Sequence, residues 1–122
     1  MAWEGHFRPL VPLAHALATR GHEVVFAAAS AWEPRVAEEG FALFVAGLTR
    51  AEGGERFAPF RAKIFALPPE GRRTHQFSKL FGMIHAPAKL PELLGVARSW
   101  HADAIVHDSC DLAAPIAAAS LG

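Results

Sequence analysis

Leu10-Val11-Pro12-Leu13-Ala14-His15-Ala16-Leu17-Ala18-Thr19-Arg20-Gly21-His22-Glu23-Val24-Val25-Phe26-Ala27-Ala28 is the stretch that decides the fold class. Its first half has the period of a helix: Leu10, Leu13, Ala14 and Leu17 fall at i, i+3, i+4 and i+7, one face of the cylinder. Arg20 places a cation in the last turn and Gly21 supplies the stop, so a helix is expected over residues 9–20. Pro12 falls in the first turn, where a missing amide hydrogen does least harm. The second half changes character. From His22 to Ala28 the chain is short and almost continuously apolar, as a strand covered on both faces would be, and such strands belong to parallel sheets.

Working outward, Ser30 caps an expected helix over residues 31–39, closed by Gly40, and a second short strand follows from Ala42 to Val45. Residues 47–56, rich in Gly, Glu and Arg without an apolar period, read as a loop. Phe57, Phe60, Ile64, Phe65, Phe77, Leu80, Phe81, Met83 and Ile84 then spread through a stretch broken by Pro68, Pro69 and Pro87, which points to short amphipathic helices. A helix over 90–100, a third buried strand over 104–108 and an alanine-rich helix over 112–121 complete the pattern. Alternating helix and strand implies an α/β fold: a Rossmann-like parallel sheet with helices on both faces and right-handed crossovers. The central first strand of such a sheet is missing, since only residues 1–3 stand where it belongs. The strands near Val24 and Ile105 then lack the neighbour between them, and self-association through the exposed edges is expected.

Composition narrows the function. A chain of 122 residues with 52% hydrophobic content is one domain with a packed core. Lys plus Arg equals Asp plus Glu at 12 each, leaving no net charge to attract nucleic acid or an anionic membrane. No apolar run approaches the roughly 20 residues of a membrane span. One cysteine, Cys110, allows neither an internal disulfide nor a cysteine-based zinc cluster, so a reducing, cytoplasmic setting is expected; no secretory signal is visible. His15, His75, His85 and His101 match no metal-ligand spacing, and no metal is expected. GxGxxG and GxxxxGK[ST] loops are both absent, so nothing in the sequence cradles nucleotide phosphates.

Two places carry chemistry. His6, in the turn Glu4-Gly5-His6-Phe7-Arg8-Pro9, stands where a strand-to-helix loop meets the carboxyl edge of a parallel sheet, the edge at which ligands bind. A histidine there is either a general base or an exposed or capping residue. His107-Asp108-Ser109 ends the third apolar run at the same edge. Asp108 can accept a hydrogen bond from His6 and fix its tautomer, or Asp108, Ser109 or Asp111 can cap the next helix. Cys110 reads as a packing residue rather than a nucleophile, and the phenylalanines as core more readily than as a ligand pocket.

Together the segments resemble a family. Gly5-His6-Phe7-Arg8-Pro9-Leu10-Val11-Pro12-Leu13-Ala14, followed by Leu17-Ala18-Thr19-Arg20-Gly21-His22-Glu23-Val24, is similar to the opening of the acceptor-binding half of GT-B glycosyltransferases of the UDP-glycosyltransferase type, close to bacterial antibiotic and macrolide glycosyltransferases. His107-Asp108-Ser109-Cys110-Asp111-Leu112-Ala113-Ala114-Pro115 resembles a later strand and helix of the same domain. The resemblance covers the first 47 and last 25 residues, with 47–100 as the variable acceptor region. It implies that residues 1–122 are a partial acceptor-binding domain whose nucleotide-sugar-binding partner domain is absent from this sequence. The activity it implies is inverting transfer of a sugar from a UDP or TDP sugar, a co-substrate rather than a cofactor, to a hydroxyl of a small acceptor. His6 is then the base and Asp108 its orienting carboxylate; Trp3, Glu4, Phe7, Phe81 and Ser109 are expected at the substrate. Glu4 stands where relatives often carry a small residue or a second histidine, which keeps a carboxylate base open as an alternative. A non-catalytic ligand-binding module of the same fold and, more remotely, a flavodoxin-like domain are the competing readings.

Overall fold

The computed structural model describes residues 4–122. Two strands, β1 (Val25–Ala28) and β2 (Ala42–Val45), pair in parallel, with Val25 opposite Ala42 and Ala28 opposite Val45. Between them the chain crosses over through a 3₁₀ turn (Ser30–Trp32) and the short helix α3 (Glu33–Glu38), which packs on β2 and buries Val36. Gly40 closes that crossover at φ 80°, a left-handed conformation that glycine adopts without a Cβ penalty. Ahead of β1 lies α2 (Leu10–Thr19), close to the expected 9–20, and Gly21 ends it at φ 86°. The turn expected at residues 4–9 is instead largely helical, as α1 (Glu4–Phe7), which seats Phe7 in the core.

The 47–56 loop is corrected. Helix α4 runs from Arg50 to Phe65, started by a reciprocal cap in which Thr49 Oγ1 accepts from the Glu52 amide while the Glu52 carboxylate accepts from the Thr49 amide. Two satisfied terminal amides outweigh the poor helix propensity of Gly53 and Gly54. Beyond it come α5 (Pro69–Phe77), a π-helical stretch (Ser78–His85) and α6 (Ala86–Ser99), so the helix expected over 90–100 begins earlier. Helix α7 (Ala113–Leu121) lies against α6.

The expected third strand, 104–108, is also corrected: these residues take no regular secondary structure and pair with neither strand. Nor are they fully buried, since Val106 is 55% exposed. Apolar sequence alone does not make a strand; a ladder needs a partner in hydrogen-bonding register, and none adjoins this stretch among the described residues. Between it and β1 opens a cavity of about 650 Å³, walled by α2 and α6 as well. Leu10, Leu13, Ala14 and Leu17, the stripe that defined α2 in the sequence, all face that cavity.

Two cores hold the chain together. Ala86, Leu93, Ala113, Ala114 and Ala117 pack α6 on α7, with Ala27 of β1 and Ile105 against them. Phe57, Ile64, Leu80 and Ile84 join α4 to the π-helical stretch. No helix among the described residues is long and apolar enough to cross a membrane.

Candidate active site

His6 and Asp108 are 102 positions apart in sequence, and the fold brings them together. The Nδ1 atom of His6 lies 3.1 Å from Oδ1 of Asp108, and both side chains are about three-quarters buried. Helix α1 sets the histidine; its neighbour Phe7 anchors the turn by packing on Phe26 and Trp32 with centroid separations of 5.4 and 5.3 Å. The aspartate is set by a local turn in which Oδ1 also accepts the Cys110 amide at 2.6 Å. Asp108 therefore does cap backbone, but that of its own turn: α7 starts at Ala113, and its first turn has no side-chain cap.

A carboxylate oxygen only accepts, so Nδ1 of His6 donates in this contact, the orientation in which a carboxylate can stabilise an imidazolium. His6 and Asp108 both line the 650 Å³ cavity, whose remaining wall is mainly apolar. That space lies between the two stretches, near Val24 and Ile105, expected from the sequence to lack a neighbour, and beneath the apolar stripe of α2.

The other expected substrate residues are placed differently. Glu4 is exposed and occupied by cations, with Arg8 Nε at 3.2 Å and Arg35 Nε at 3.3 Å from its carboxylate. Phe7 is buried in the aromatic cluster under the Arg35 guanidinium, with an edge on the cavity wall. Ser109 is exposed in the turn beside the pair. Phe81 belongs to the other core, stacked with Phe77 at 4.9 Å, and borders a much smaller pocket with His85, Lys89 and Cys110. Trp3 lies outside the described residues.

Lys89 was not singled out in the sequence. Its side chain is nearly buried, and its Nζ donates to the Ala27 carbonyl at 2.9 Å and to Asp111 Oδ2 at 2.6 Å. It thereby ties α6 to the end of β1 and to the turn that carries Asp108. The signal was present: Lys89 stands three residues after Ala86, four before Leu93 and eight before Ala97, in the buried stripe of its helix. Its pairing also commits Asp111 to a structural contact. Cys110 sits beside the pair, its thiol pushed up by burial and then by the nearby Asp108 carboxylate, so at neutral pH it is a protonated thiol. A ring nitrogen of His6, a carboxylate oxygen of Asp108 and Sγ of Cys110 lie within 4.8 Å of one another.

No family model matches the chain. A protein of Streptomyces niveus described as L-demethylnoviosyl transferase is 30% identical over 118 residues, which are 97% of this chain and 30% of that protein. The chain is related to a glycosyltransferase. It spans about a third of that relative's length.

Proposed function

We propose that these residues form the acceptor-binding, N-terminal part of an inverting, GT-B type glycosyltransferase, with His6 as general base and Asp108 as its positioning carboxylate. The observation that carries the reading is the 3.1 Å contact between His6 Nδ1 and Asp108 Oδ1. The relationship to a sugar transferase supports it independently.

In this reaction the acceptor, a small and largely apolar molecule bearing a hydroxyl, is held with its O–H toward Nε2 of His6. The hydroxyl proton passes to Nε2 as the acceptor oxygen attacks the anomeric carbon of the sugar. The bond between that carbon and the diphosphate oxygen breaks with its electron pair leaving on the nucleoside diphosphate, UDP or TDP, from the opposite face, so configuration inverts. Asp108 stays ionised and stabilises the imidazolium. The nucleotide sugar is held by a separate nucleotide-sugar-binding domain facing this one. The test joins this chain to such a domain and compares His6→Ala with the unsubstituted protein. Turnover should fall by about 10²- to 10⁴-fold, the range for a positioned proton acceptor. Unchanged turnover would remove His6 from the chemistry.

A further inference from the structure

We propose that His6, Asp108 and Cys110 form a binding site for a borderline-soft divalent cation, zinc, and that metal occupancy and base catalysis by His6 exclude each other. The inference rests on donor geometry and stands whether or not the chain belongs to a transferase. Three donors of three kinds, imidazole nitrogen, carboxylate oxygen and thiol sulfur, have their ligand atoms within 4.8 Å of one another. Four-coordinate zinc, with bonds of roughly 2.0–2.3 Å, places its ligand atoms about 3.3–3.7 Å apart along the tetrahedral edges. The His6 and Asp108 atoms already stand at 3.1 Å, so only the Cys110 sulfur has to close in. Rotation about its Cα–Cβ bond moves that atom without moving backbone.

The frame is built before any metal arrives. Asp108 Oδ1 is fixed by the Cys110 amide at 2.6 Å, which locks the aspartate and the cysteine into one turn. His6 comes from the far end of the sequence, on a helix anchored by the buried Phe7. All three side chains are partly buried, a setting in which an unbalanced charge is costly. Zinc answers that constraint: two positive charges against one carboxylate and one thiolate, with imidazole neutral, sum to zero. The thiolate forms by loss of the Cys110 proton to solvent, and the His6 ring proton moves from Nδ1 to Nε2 through solvent as Nδ1 ligates the metal, with no oxidant or reductant involved. The fourth position is left to water from the cavity that His6 and Asp108 line. Magnesium, which demands six oxygen ligands, has no comparable match here. Because the metal takes a carboxylate oxygen and a ring nitrogen from the pair, occupancy removes the base and its orienting partner together.

The test titrates the 122-residue chain, freed of thiols and chelators, with zinc, with cobalt as a spectroscopic substitute and with magnesium. One zinc per chain should bind, magnesium should not, and cobalt should give a thiolate-to-metal absorption in the near ultraviolet. Cys110→Ser should abolish that absorption, and both Cys110→Ser and His6→Ala should weaken zinc binding by more than about 100-fold, since even the loss of a residue behind a ligand costs 10- to 100-fold. Circular dichroism of the nearly isosteric Cys110→Ser chain should match the unsubstituted one, which separates ligand loss from unfolding. His101→Ala and His107→Ala should bind as the unsubstituted chain does. Absence of stoichiometric zinc binding, or binding that survives Cys110→Ser, overturns the proposal, as does binding that depends on His101 or His107 instead.

Discussion

The sheet-bearing ends of the chain leave a gap beside β1, whereas the helical middle is filled by phenylalanine. At the ends, Ala113, Ala114 and Ala117 pack α7 on α6 and Phe7, Phe26 and Trp32 cluster beside β1, while the space between α2, β1 and residues 102–108 stays open. In the middle, Phe57, Phe60 and Phe81 fill the space between α4 and the π-helical stretch, and the helix start is closed by its own reciprocal cap. A filled core holds together on its own, and an unfilled one leaves apolar side chains without neighbours. The His6 and Asp108 pair lies on the unfilled side.

That contrast can be broken first at Phe57. Truncation by Phe57→Ala removes the aromatic centre of the middle and should destabilise the chain by about 3–5 kcal/mol, read as a lower midpoint in urea. A loss below about 1 kcal/mol would mean that the middle is not held by its aromatic cluster. Lys89→Met comes next, because it strands the Asp111 carboxylate at the seam between the two regions. We expect about 3 kcal/mol of lost stability, and restoration of much of it by the added change Asp111→Leu. If the double variant is as unstable as the single, the ion pair is not what joins α6 to the turn.

His85 sharpens the comparison through pH. It is buried against Gly53, where an added Cβ would collide with Nε2, and that ring nitrogen has no hydrogen-bond partner among the described residues. Burial pushes its pKa down from 6.5 to about 4, with the charges of Arg56 and Lys89 adding to the effect. The unfolded chain therefore binds a proton between pH 6.5 and 4 that the folded chain refuses. Stability due to this group is complete above pH 6.5 and is lost as pH falls toward 4, by about 3 kcal/mol in all. His85→Leu should flatten that part of the pH profile of thermal unfolding; an unaltered slope would assign the acid sensitivity to another group. The smallest effect is Thr49→Ala, about 1 kcal/mol from the loss of one helix cap, confined to faster amide exchange in the first turn of α4. Protection unchanged there would show that the cap is idle.

The same two regions differ in how far the sequence could be read. Helix α2, β1 and β2 were legible because a period of 3.6 gives way to a short apolar run, and each is punctuated by glycine in a left-handed turn at Gly21 or Gly40. The residues alone left His6 readable as an exposed or capping histidine and Asp108 as a helix cap; the resemblance to the glycosyltransferase opening paired them, and the contact between them is what the structure adds. The stretch 104–108 misled for the converse reason: its side chains describe a strand, but pairing depends on a neighbour that side chains do not encode. Thr49 and Glu52, three apart, were a visible capping signal overlooked among the glycines of residues 47–56. Cys110 was read as a packing residue because a lone cysteine says nothing until its neighbours are known. The bend that puts its thiol beside His6 arises from the Asp108 turn, not from any period in the sequence.

The central claim is that His6 and Asp108 work as one unit, and the most direct measurement is a double-variant cycle on turnover, made in a protein that joins this chain to a nucleotide-sugar-binding domain. His6→Ala, Asp108→Asn and the two combined are compared under saturating donor and acceptor. Asp108→Asn should itself lower turnover, because an amide can hold the ring in the wrong tautomer and no longer stabilises the imidazolium. If the two residues are a dyad, the double variant will be little slower than His6→Ala alone, since a carboxylate that acts only through the imidazole has nothing left to orient. Losses that multiply would contradict the account: Asp108 would then serve catalysis independently of His6, through its hold on the 108–110 turn.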